Sequence, residues 1–178
     1  MRSLRKLSIM SGILLVSLWV FAPPGRAQIE SVTLKVDGLA CPFCSYGLSK
    51  ELKKVEGIKE ANIFVDAGRV ELEVEKGKPV DIEKLPEAVR SGGFTAREIK
   101  ITAVGRVEEW NGSPVLAVAP GDIKFLLEEG ENLLRLQKAL RAQGKTPLVT
   151  VSGQIKKENP EGHQGHPLTL QIERFEVK

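Results

Sequence analysis

Residues Val36–Leu48 read VDGLACPFCSYGL and hold the only two cysteines of the 178-residue chain, Cys41 and Cys44. Just before them, Val32, Leu34 and Val36 alternate in SVTLKV, the period-two signature of a strand. Just after them, Leu48, Leu52 and Val55 recur at helical spacing, which predicts a helix over Ser45–Val55 with Cys44 on the same stripe and Gly57 as its stop. A Cys-x-x-Cys at a strand-to-helix junction can be a structural staple, a redox pair or a grip for a metal ion. A disulfide that stabilises by constraining the unfolded chain gains with loop length. A ring closed by residues 41 and 44 is too short for that, so the thiols are there for chemistry. At a helix start, unpaired N–H groups and the positive dipole end favour thiolates. Two thiolates suit a soft ion such as Cu(I), and Hg(II) has the same taste for sulfur, whereas Zn(II) wants four ligands.

Working outward, IKEANIFVDAGRVELEVE reads as a hairpin, with Ile63 and Val65 leading to DAGR and Val70, Leu72 and Val74 returning. Asp81 is placed to cap a second helix that carries Ile82, Leu85 and Val89 on one face. Pro86 requires that helix either to start late or to kink. SGG ends it and FTAREIKI supplies a last strand. The order over residues 28–99 is β-α-β-β-α-β, a ferredoxin-like arrangement within an α+β chain.

These residues carry a resemblance. GLACPFC is similar to the Gly-Met-x-Cys-x-x-Cys signature of the heavy-metal-associated domain, with Gly38, Cys41 and Cys44 in register and Phe94 matching an aromatic that follows a late glycine. The family includes copper chaperones, the periplasmic mercuric-ion-binding protein and modules of metal-transporting ATPases. The resemblance implies that Cys41 and Cys44 bind Cu(I) or Hg(II), zinc being less favoured because Ala40 stands where zinc-favouring members often carry Asp. It also implies transfer of the ion by ligand exchange with a donor or acceptor protein, a membrane metal transporter among the candidates. Leu39 replaces the signature Met, a swap of similar volume beneath the loop. Pro42 is a departure that fits a first helical turn, but Cys-Pro-x-Cys is also the pattern of thiol-disulfide oxidoreductases. A periplasmic redox protein is therefore the alternative, and a non-metallated interaction module is a third.

The remaining residues, 100–178, read as strands at ITAVGRVEEW, VLAVA, DIKFLL, PLVTVSGQI and LTLQIERFEV, with Asn111-Gly112 as a hairpin turn and a helix in ENLLRLQKALRAQGK. Five strands with a helix between the third and fourth is the element order of an OB-like barrel. A phase shift between Ile172 and Phe175 predicts a bulge. No Pro-, Ser- or Gly-rich linker separates the halves, so one extended segment can run through both.

The chain opens with a basic tip, an apolar run over 7–22 and small residues Gly25 and Ala27 ahead of Gln28, the anatomy of a signal peptide over 1–27. The run is short for a membrane span of about 20 residues. This predicts a periplasmic or otherwise secreted protein, with membrane attachment only through an uncleaved leader. Four of the 26 Lys and Arg lie in residues 1–27, which hold no acidic residue, so 22 remain against 23 Asp and Glu, a net charge of −1. That balance excludes the basic footprint of a nucleic-acid binder, and Trp110 reads as a hairpin residue rather than a base-stacking platform. His163 and His166 form an H-x-x-H in a Gly/Pro-rich loop, read as a solvated loop ahead of a second metal site. With both histidines there and no Ser/His/Asp set, the chain reads as a non-enzyme.

Overall fold

A computed structural model describes residues 27–40, 42–143, 147–156 and 167–178. The predicted signal segment up to Arg26 and the His163/His166 pair lie outside the described residues. Among the described residues the fold is α+β, with three α-helices and one eight-stranded sheet. Among the described residues no helix is long and apolar enough to cross a membrane.

The first half follows the predicted order. Strand β1 (Gln28–Asp37) buries Val32, Leu34 and Val36, the alternation seen in the sequence. Helix α1 (Pro42–Leu52) begins three residues earlier than Ser45, because Pro42 has its φ preset for a first turn and needs no N–H there. It ends at Leu52, ahead of Gly57, where i→i−3 bonds from Lys54 to Glu51 and Val55 to Leu52 tighten the chain into a turn. Strands β2 (Ile58–Phe64) and β3 (Arg69–Val74) form the hairpin around a 3₁₀ turn, Val65–Ala67. The Pro86 question resolves as a late start. A 3₁₀ turn covers Ile82–Lys84 and helix α2 runs Leu85–Ser91, with Pro86 in its first turn. Asp81 makes no side-chain cap bond; its carboxylate pairs with Lys84 at 2.6 Å.

Strand β4 (Thr95–Trp110) is 16 residues long and passes without a break through Ile99 and Lys100, where the sequence divides the halves. Each residue from Ile99 to Val104 pairs with β1 on one side and with β7 (Val149–Ile155) on the other. Beyond Gly105, β4 turns at Asn111-Gly112 and pairs with β5 (Ser113–Val118), which pairs with β6 (Ile123–Leu127). Strand β6 pairs in parallel with β8 (Leu168–Val177), β8 with β7, and β7 with β4, so the ring of pairings closes. Helix α3 (Glu131–Gln143) connects β6 to β7 and packs its Leu133 and Leu136 inward against β8. One buried cluster runs from Val32 and Leu48 in the first half to Phe125 and Leu170 in the second.

The predicted bulge is at Glu173: Ser152 faces Arg174 while Gly153 faces Ile172. The Asn132 amide donates to the Ile172 carbonyl at 2.8 Å and to that of Glu173 at 3.3 Å, satisfying acceptors near the break in the ladder. Opposite it, a Cβ on Gly153 would stand 2.1 Å from the Gln171 carbonyl oxygen. Gly153→Ala is therefore expected to cost about 1–3 kcal/mol through overpacking, seen as a lower melting temperature by circular dichroism. Gly47 is the contrasting case. It sits within α1, and a Cβ added there would meet nothing within 4 Å. Gly47→Ala is expected to raise stability by roughly 0.5–1 kcal/mol in the same assay.

Candidate metal centre

Strand β1 delivers the chain to the centre and α1 takes it away. At Asp37 the strand ends, and Gly38 turns the backbone with φ +90°, a conformation that a side chain with a Cβ resists. The Ala40 N–H donates to the Gly38 carbonyl at 2.8 Å, closing a tight turn around Leu39. Leu39 is 8% exposed and belongs to the core, so it anchors the loop from beneath. Cys41 follows outside the described residues, and Cys44 lies in the first turn of α1. The backbone thus brings the first helical turn to the end of a strand held on both sides, by β3 and by β4.

Two neighbouring segments meet the loop. The Val36 N–H donates to the Gly68 carbonyl at 2.9 Å, which sets the β2–β3 turn beside the end of β1. Phe94, between α2 and β4, places its Cδ1 3.5 Å from the position a Cβ would take on Gly38. That is where the sequence puts an aromatic, at ordinary packing distance, so it is the positive φ that holds position 38 to glycine. Phe43 and Tyr46 on α1 are 91% and 77% exposed, so they form an open aromatic surface next to the loop.

Charges frame this end. Asp37 pairs with Arg97 across the β1–β4 ladder. Arg69 lies over the Phe64 ring, 4.8 Å from its centroid, and reaches Glu71 at 3.1 Å. No local pattern in the sequence marks these groups. Asp37 and Arg97 are 60 positions apart, and only the β1–β4 register, which sets Asp37 opposite Thr95, brings them together. Among the described residues no group of three or more His, Cys, Asp and Glu side chains could hold a metal ion. Trp110, at the far end of β4, is half-buried and faces Ser113 across its hairpin.

Residues 33–95 match the family profile of the heavy-metal-associated domain. The chain is 28% identical over 79 residues to the mercuric transport protein periplasmic component of Acinetobacter calcoaceticus, covering 44% of this chain and 86% of that protein. It is 23% identical over 65 residues to the copper chaperone CopZ of Staphylococcus saprophyticus, covering 36% and 94%. A solved structure of oxidized MerP from Ralstonia metallidurans CH34 aligns at 25% identity and a TM-score of 0.34, covering 39% of this chain and 94% of that one. Residues 33–95 of this chain are a heavy-metal-associated domain.

Proposed function

We propose that this protein is exported, takes up a soft metal ion, Cu(I) or Hg(II), between the thiolates of Cys41 and Cys44, and hands it on. The observation that carries the reading is the position of the Cys-x-x-Cys: at the junction of β1 and α1, inside the heavy-metal-associated domain. Soft ions prefer sulfur ligands, and two thiolates three residues apart in sequence suit a low-coordinate grip. Relatives named for mercuric transport and copper chaperoning support both ions equally. Transfer proceeds by ligand exchange: a thiolate of the donor or acceptor protein adds to the bound ion, and one of the two cysteines then leaves. No reaction on an organic substrate is needed, so the chain is a carrier and not an enzyme. The export signal over 1–27 and a periplasmic site of action agree with the relative named a periplasmic component.

The working chain would comprise a metal-binding half, 28–99, and a second half, 100–178, joined through β4. The second half is an OB-type barrel on this reading. Its five strands pair in the order β4-β5-β6-β8-β7 and back to β4, with a helix between the third and fourth strands. It offers a docking platform for the partner, a membrane transporter being the natural candidate, while the loop carries the ion.

Titration of the reduced protein with Cu(I) or Hg(II), with a competing chelator, is expected to show one ion per chain. Cys41→Ser/Cys44→Ser should abolish it; retention of stoichiometric binding by that variant sinks the proposal. Because Pro42 gives the pair a Cys-Pro-x-Cys pattern, insulin disulfide reduction is the companion assay, and sustained turnover there would favour a redox role. Gly38→Val probes the loop geometry. A β-branched residue at φ +90° against Phe94 is strained by about 1–3 kcal/mol, so the ion should be held roughly tenfold or more weakly in the same titration with both cysteines intact.

A further inference from the structure

A groove of about 360 Å³ lies at the junction of the two halves, away from the Gly38 loop. One wall is Pro79, in the segment between β3 and α2; the other is Ile123 on β6 and Pro167 at the start of β8. The floor is Phe125, which is 1% exposed. Glu56 and Glu83 stand at the rim and are exposed.

The walls are held in place. A Cβ on Gly57 would stand 2.2 Å from the Pro79 carbonyl oxygen, and one on Gly121 3.0 Å from the Pro79 Cβ. Pro79 is therefore seated between a turn of the first half and the β5–β6 turn of the second, with a positive-φ glycine against it on each side and no room for a Cβ on Gly57. Two proline walls and a buried aromatic floor make a preformed apolar slot, and junctions between substructures are where such sites concentrate.

The charge at the groove is unbalanced. The lining cation Lys124 is paired with Asp122 at 3.1 Å, and the lining Asp81 is paired with Lys84 at 2.6 Å. Glu56 and Glu83 form no ion pair among the described residues. The Lys84 ammonium is held above its usual pKa mainly by Asp81, with a smaller contribution from Glu56. The rim field is thus negative and lies over an apolar floor.

We propose that this groove binds a short cationic and apolar segment of a partner protein, its aliphatic side chains on Phe125 and between the prolines and its basic side chains against Glu56 and Glu83. This gives the second half a recognition role that does not depend on the metal.

The probe is an acetylated, amidated hexapeptide of alternating lysine and leucine, titrated into the full chain by calorimetry and by methyl NMR. Saturable binding is expected, with the largest shifts at the Ile123 and Leu168 methyls and weakening as salt rises from 50 to 500 mM. Glu56→Gln/Glu83→Gln should weaken it about tenfold, as expected for two exposed charges lost, with the melting temperature unchanged. Glu108→Gln/Glu109→Gln, the same charge change on the β4 hairpin, should leave it intact, and so should Cys41→Ser/Cys44→Ser. Equal weakening by both glutamate pairs, equally tight binding of a peptide with serine for leucine, or shifts confined to residues outside the groove would overturn the proposal. A concentration-dependent dimer dissolved by Glu56→Gln/Glu83→Gln would overturn it too, by assigning the groove to a second copy of this chain.

Discussion

Six consecutive residues of β4, Ile99 to Val104, are paired on both sides at once, and the rest of the molecule depends on that double pairing. On one side β1 completes the sheet that presents the Gly38 loop. On the other β7 closes the ring of the second half. Two substructures joined by a peptide linker would turn relative to each other by default. Here the connection is a hydrogen-bonded ladder, reinforced by a Thr102–Ser152 hydroxyl contact at 3.0 Å and by an ion pair from Lys100 across to Glu173 on β8 at 2.6 Å. Rotation about it would break ladder bonds whose groups have no other partner in the sheet interior. The halves therefore move as one body.

The same strand explains why the loop is where it is. β1 is held in register by β3 and β4 over most of its length, so the end at Asp37 is fixed relative to both helices. Leu39 then plugs the core and Gly38 turns beneath Phe94. On the proposed function, the described residues on either side of Cys41, Gly38–Ala40 and α1, need no ordering when an ion is bound. The exposed Phe43 and Tyr46 beside it leave one side open to a partner.

Much of this is legible in the sequence because its signals are local. Alternation in SVTLKV, helical spacing after Cys44, Asn111-Gly112 between two strands and the phase break before Phe175 each act over a few residues, and each has its counterpart in the structure. Periodicity misplaces the start of α1 because it begins with the apolar stripe, whereas Pro42 starts the helix through its own φ. The parallel β6–β8 pairing, the Asp37–Arg97 pair and the groove are not legible at all. Each joins residues more than forty positions apart, and nothing in either segment alone records the partner. Pro79 illustrates the limit. In sequence it is one more loop proline, and its role comes from Gly57 and Gly121 standing on either side of it in space.

The loop and the groove lie at opposite ends of the first half. β1 runs its ten residues, roughly 30 Å at strand rise, from the ring end to Asp37. β3 runs the other way, from Arg69 beside Lys35 to Glu73 beside Ser31, and the Pro79–Glu83 segment follows it. A partner segment seated in the groove would leave the Cys-x-x-Cys loop open. Because β4 makes the halves one body, it would also orient that loop in a constant direction. Binding at the groove would then raise the effective concentration of the loop at an acceptor without altering the metal site itself. On the proposed function, a weak grip at each place would then suffice for selective delivery.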